Sequence, residues 1–201
     1  MRLLVVAGLG LATLGLLVAR GRSVRGRKRS PKATPAMHAQ ARQLALEAFE
    51  DVVHVPPSTN ELRTLLAVSL HEATYGHGWR APGVGSNNMG AIQAGPSWTG
   101  ETFDYQDTSP TDSGGAVAYD QKFRAYPSAL EGWKDLVREL YVRRSSVRRA
   151  AQSANPLDVA AAMRATKYFE GQGATQSERI RNYAQALADS LLEIDTVGKV
   201  Q

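Results

Sequence analysis

The chain has 201 residues, 43% apolar and 21% charged, which suits one globular domain plus a tail and excludes a largely disordered chain. It has no cysteine, which excludes disulfides, a thiolate metal site and a cysteine nucleophile. The net charge of +5 is uneven: residues 1–32 hold eight of the 24 basic residues and no acid, leaving 16 against 19 acids, so a nucleic-acid-binding surface on the folded part loses its main support.

In chain order, Leu3 to Ala19 is an uncharged run of 17 residues rich in Leu and Val. It sits at the short end of the roughly 17–25 residues that span a bilayer. No small-residue cleavage site closes it, and Arg20-Gly21-Arg22 follows. The run therefore reads as an uncleaved transmembrane anchor over residues 1–20, in preference to a cleaved signal. Residues 21–36 form a basic linker, a stop-transfer flank whose charge also suits anionic head groups or DNA phosphates. A domain over residues 37–195 comes next.

Met37 to Val53 carries Ala41, Leu44, Ala45, Ala48, Phe49 and Val52 at helical spacing. After Pro56-Pro57, Ser58 with Glu61 makes a capping box that opens a second helix. Its inner face is Leu62, Leu65, Leu66, Ser69, Leu70 and Ala73, and it is expected to end at Gly76 or Gly78. Residues 79–122 are glycine-rich and polar, with β-prone pieces at Thr102–Tyr105 and Ala116–Tyr119, so a loop and an irregular hairpin-like lobe are expected. A helix from Pro127 or Ser128 to about Arg144 turns Leu130, Trp133, Leu136, Val137 and Leu140 inward. Pro156 to about Thr166 and Glu178 to Ile194 complete a mainly helical domain with one small lobe.

Chemistry concentrates after Ser69. Glu72 stands near the end of a buried helix and faces a glycine-rich turn and Trp79. A carboxylic acid in partly apolar surroundings titrates higher and can protonate a glycosidic oxygen near neutral pH. By local sequence alone, a surface glutamate at a helix end is an equal reading. His71-Glu72-Ala73-Thr74-Tyr75 begins like a zinc-protease helix but has Tyr75 where a second histidine is needed, so no metal is expected, and no cofactor. The run from Arg138 to Arg149 reads as a solvated face, although polyanionic wall polymers could use it.

Beyond Glu72 come Gly76-His77-Gly78-Trp79, Ser86-Asn87-Asn88-Met89-Gly90-Ala91-Ile92-Gln93 and Trp98-Thr99-Gly100. After the lobe follow Phe123-Arg124-Ala125-Tyr126-Pro127-Ser128, Trp133-Lys134-Asp135-Leu136 and Lys167-Tyr168. This ordered set resembles the glucosaminidase family of bacterial autolysins and flagellar rod-cap muralytic enzymes, over about residues 60–187. The resemblance implies a lysozyme-like fold and cleavage of the β-1,4 glycan strand of peptidoglycan. It puts Glu72 on the general acid and Tyr168 on the late tyrosine lining the site. Trp98, Asn87 and Asn88 fall on loop positions that shape the sugar groove. Trp79, Gln93, Asp104 and Tyr126 join them as candidate substrate contacts, since aromatic faces suit pyranose rings and amides suit N-acetyl groups.

Three departures matter. Gly90-Ala91 replaces an aromatic followed by glycine, and His77 is inserted in the turn. The family's lobe glutamate has no counterpart, so Asp107 becomes the first candidate for the base or stabilising carboxylate, with Asp104 and Asp112 behind it. A close second carboxylate suits retention, and one about 6.5–9.5 Å away suits inversion. A muramidase, a lytic transglycosylase or a non-catalytic wall-binding protein are the alternative outcomes. The substrate partner is the glycan strand, with the membrane held through the N-terminal helix and no specific nucleic acid. Positive charge after the anchor would keep the domain in the cytoplasm, whereas a wall enzyme works in the periplasm or cell-wall space. A virion membrane, an injection apparatus or a holin-like partner would reconcile the two. Nothing in the linker or tail signals oligomerisation.

Overall fold

The computed structural model describes residues 32–78, 87–110 and 116–198. The anchor at 1–20, most of the 21–36 linker, Trp79 and Asp112 lie outside the described residues. No described helix is long and apolar enough to cross a membrane.

The order is α1 (Pro35–Val53), α2 (Thr59–Ala73), β1 (Thr102–Pro110), β2 (Ala116–Arg124), α3 (Ala129–Val137), a π-helical turn (Arg138–Val142), α4 (Ser145–Gln152), α5 (Pro156–Ala165) and α6 (Gln176–Gly198). The capping box forms as the sequence predicts. Ser58 Oγ accepts from the Glu61 amide at 3.2 Å, and the Glu61 carboxylate accepts from the Ser58 amide at 2.8 Å. The expected inner stripe is buried except for Leu70, but α2 buries far more than a stripe. Thr64, Ala67 and Val68 are covered as well, because α1, α4 and α6 all pack around it. It is the axis of the domain. Burial on all sides explains why a weakly amphipathic sequence makes a stable helix: packing, and not propensity, holds it. Its central Leu65 is fully enclosed, a site where truncation to alanine costs about 2–5 kcal/mol.

Glu61 is also a core tie. Its other carboxylate oxygen accepts from Arg148 Nε of α4 at 2.8 Å, and its carbonyl accepts from the Tyr141 hydroxyl at 2.7 Å. Burial alone would raise the Glu61 carboxyl, but the hydrogen bonds from Arg148 and Ser58 outweigh it and hold it below the ordinary value.

The lobe is a two-stranded antiparallel sheet, longer than the sequence suggested, with Thr102 opposite Arg124 and Pro110 opposite Ala116. Phe103 and Phe123 stack at 5.7 Å and with Ala125 make a small core of their own. The helix after Ser128 does not run unbroken to Arg144. It widens at Arg138 and restarts as α4, an element the periodicity did not reveal because its eight residues, Ser145–Gln152, bury only Val147 and Ala151. The arginines from Arg138 to Arg149 are not a wholly solvated face either: Arg144 and Arg148 bond to the buried Glu139 and Glu61.

Candidate active site

Helix α2 ends at Ala73, earlier than the glycines, through a turn at positive φ. Thr74 (φ 46°), Tyr75 (φ 55°) and Gly76 (φ 84°) follow one another in the left-handed region. A β-branched residue rarely adopts this conformation, which costs on the order of 1–3 kcal/mol. Tyr75 makes the turn stay. It is buried, its hydroxyl pairs with His38 Nδ1 at 2.9 Å, and its ring lies against Trp133. The strained turn fixes where the last helical residues point, and Glu72 is one of them.

Glu72 is half-buried, and the Tyr183 hydroxyl of α6 donates to its Oε1 at 2.6 Å. Tyr183 is held on two sides: Phe169 stacks on it at 3.9 Å with the rings 9° apart, and His71 meets it edge-on at 5.1 Å. Sequence reading missed Tyr183. It stands in the apolar series Ile180, Tyr183, Ala184, Leu187 and looks like an ordinary core residue.

Tyr168 is within electrostatic reach of Glu72. Its hydroxyl donates to the Gly90 carbonyl at 2.7 Å. Desolvation pushes that hydroxyl well above the usual tyrosine range; the negative charge of Glu72 adds to this, and Arg144 opposes it with its guanidinium 5.4 Å from the ring centre. The glycine at 90 has a reason: a Cβ there would come within 2.4 Å of Leu136 Cδ1 and 2.6 Å of the Tyr168 hydroxyl. The rebuilt loop is thus shaped to receive Tyr168. Glu72, Tyr168 and Tyr183 form one cluster drawn from three segments.

The loop candidates divide. Asn88 is fully buried, and its amide donates to the Ile92 and Arg124 carbonyls, at 2.9 Å each, while accepting from the Gly90 and Ile92 amides. It braces the loop against β2 and does not face the groove. Tyr126 is buried too, with its hydroxyl donated to Asp135 at 2.6 Å, and burial followed by that carboxylate raises it. Asn87, at φ 45°, donates to the Tyr126 carbonyl at 2.9 Å. Gln93 is exposed and bridges to Phe123 in the backbone. Trp98 is half-buried, its indole N–H bonded to the Glu101 carbonyl at 2.9 Å and its face covered by Arg124 at 4.8 Å. In the lobe, Asp104 is exposed opposite Lys122, and Asp107 stands opposite Tyr119 in the register. A cavity of about 510 Å³ opens between Trp98, Arg124, Arg144 and Thr166. Glu72 does not line it. Arg144, which lines it, also lies over the ring of Tyr168.

No family model matches the sequence, and no curated protein does. Solved structures do. A mutant peptidoglycan hydrolase from Sphingomonas sp. A1 is similar at TM-score 0.60 and 20% identity, over 84% of this chain and 100% of that one. A C-terminally truncated glycoside hydrolase domain of Salmonella typhimurium FlgJ is similar at TM-score 0.52 and 26% identity, over 81% of this chain and 97% of that one. The catalytic domain of the autolysin Auto from Listeria monocytogenes is similar at TM-score 0.52 and 18% identity, over 83% and 89%. The chain has the fold of these peptidoglycan hydrolase domains.

Glu72 is thus a half-buried carboxylate with one oxygen engaged by a tyrosine hydroxyl. The Tyr183 hydroxyl can orient it, and burial keeps the Tyr168 hydroxyl from ionising near neutral pH. Among the described residues no group of three His, Asp or Glu side chains could hold a metal ion.

Proposed function

We propose that this chain is a glycosidase that cleaves the glycan strand of peptidoglycan, with Glu72 as its general acid. The observation that carries the reading is the Glu72–Tyr183–Tyr168 cluster at a strained helix end, within a fold shared with the Salmonella glycoside hydrolase domain at 26% identity. Tyr183 engages Oε1, so the acidic proton resides on Oε2 and passes to the glycosidic oxygen as the bond to C1 breaks. Asp107 is the carboxylate proposed to stabilise the cationic sugar or activate water from the lobe. The bond cut is the one that leaves a reducing N-acetylglucosamine. Trp98 and Gln93 face the strand, and Trp79 and Asp104 complete its contacts. Residues 1–20 anchor the domain to a membrane, and it acts on the wall side of that membrane, in a cell envelope or a virion.

The test is digestion of purified sacculi by the protein and by Glu72→Gln, with mass spectrometry of released muropeptides. Glu72→Gln removes the proton donor and keeps the shape, so turnover falls by the 10²–10⁴-fold that general acid catalysis contributes while the melting temperature holds. Ends at muramic or anhydro-muramic acid would reassign the bond. Undiminished turnover in Glu72→Gln would refute the assignment of the acid. Binding without turnover in either protein would make the chain a wall-binding protein.

A further inference from the structure

The arginines beyond α3 gather around one buried carboxylate. At the π-helical turn the Arg143 amide bonds the Arg138 carbonyl, five residues back, at 2.8 Å. An α-helix advances about 100° per residue and would separate the fourth and fifth residues after Glu139. The wider turn lets both Arg143 and Arg144 flank it. Glu139 Oε1 accepts from Arg143 and from Arg124 Nη1 of β2, the latter at 3.1 Å, and Oε2 accepts from Arg144 Nη1 at 2.5 Å. Arg124 Nη1 also bonds Asp135 at 2.7 Å. Wide turns of this kind recur at functional sites.

Among the described residues, three guanidinium groups here meet two carboxylates, a surplus of one positive charge. Gathering like charges is costly, and buried ion pairs add little net stability. The arrangement makes more sense as a preorganised receptor for an anion. Three of these arginines, with Glu139, Trp98 and Thr166, line the 510 Å³ cavity. Arg143 is 54% exposed, and one of its terminal nitrogens, Nη1, bonds Glu139. Guanidinium forks match carboxylates in a bidentate manner.

Peptidoglycan carries its carboxylates on the stem peptide, or on the lactyl group where the peptide has been removed. We propose that this cavity is a subsite for a carboxylate hung from the muramic acid side of the strand, with Arg143 as its principal contact and Arg124 and Arg144 behind it. The proposal rests on the peptidoglycan reading above, and its position follows from Arg144, which faces the cavity and covers Tyr168 beside Glu72.

The experiment uses the full chain in detergent on three preparations of one sacculus: intact, with all carboxylates amidated, and with stem peptides removed by an amidase. Wild type should show kcat/KM about tenfold higher on intact than on amidated strands, the size expected of one partly exposed charge-assisted hydrogen bond. Arg143→Ala should bring that ratio close to one, and Arg143→Lys should restore part of it. Arg149→Ala, on an exposed residue of α4, should leave the ratio alone. Preference for intact over peptide-free strands assigns the stem carboxylate alone, and equal rates on those two show that the lactyl carboxylate freed by the amidase serves as well. Equal rates on intact and amidated strands, an unaltered ratio in Arg143→Ala, or an equal loss in Arg149→Ala would overturn the subsite. If nothing is cleaved the hydrolase reading fails, and the same comparison is then made by co-sedimentation: stronger binding to intact strands sustains the subsite, and equal binding overturns it.

Discussion

Gly132→Ala tests how closely the loop carrying Gly90 lies on α3. A Cβ at position 132 would stand 1.8 Å from the Asn87 carbonyl oxygen, 3.0 Å from its carbon and 3.4 Å from Met89 Cγ. Alanine in a helix interior gains about 1 kcal/mol over glycine. Against that, ordinary contact requires the loop backbone to retreat by roughly 1.5 Å, and overpacking of this kind costs about 1–3 kcal/mol, more when backbone must move. The retreat also pulls Asn87 from the Tyr126 carbonyl and Gly90 from Tyr168. The clash wins, with a net loss of up to about 2 kcal/mol, or a melting point lower by up to about 4–8 °C for a domain of this size. Thermal unfolding followed by circular dichroism measures this directly. Turnover of sacculi should fall further than the lost stability explains, because Tyr168 loses its anchor. A variant that melts at or above wild type would refute the packing of the loop on α3.

Two more expectations follow from the same contacts. Tyr183→Phe keeps the stack on Phe169 and removes only the hydroxyl on Glu72, so kcat should drop about tenfold, as for a lost hydrogen bond to a carboxylate, with little change in melting temperature; unchanged kcat would show that Tyr183 does not position Glu72. Because Glu61 is held below its ordinary value of 4.5 in the folded chain, the stability it contributes is fully present above that pH. It is lost as pH falls from there through the lower folded value. Urea unfolding of wild type and Glu61→Gln between pH 6 and 3 should therefore show a gap that closes toward acid, and a gap independent of pH would contradict the Arg148–Glu61 tie.

Local signals in the chain were enough to locate Glu72 and the start of its helix. The Ser58–Glu61 box is a contact over three residues, and the stripe from Leu62 to Ala73 is a local period, so both are written in adjacent letters. The hairpin was legible in outline for the same reason, through its β-prone runs on either side of a glycine-rich tip. Gly90 was visible as a departure from the resembled pattern, but its cause was not. Leu136 and the Tyr168 hydroxyl, which occupy the space a side chain would need, come from distant segments.

What only the tertiary structure decided is which side chains meet. Tyr183 lies 111 residues from Glu72, and an aromatic at a core spacing gives no hint that its hydroxyl reaches a carboxylate. Asn88 and Tyr126 read as sugar contacts because amides and phenols suit sugars, yet the fold spends both on bracing the loop and β2. The arginines after Val137 read as solvated because charge runs usually are. The widened turn reverses that, since backbone hydrogen bonding five residues back rotates Arg143 and Arg144 onto Glu139. Sequence by itself determined most of the elements and the candidate acid, because periodicity and capping act over one or two turns. The partners of that acid and the charge of the neighbouring cavity depend on contacts between remote segments, which exist only once the chain has packed.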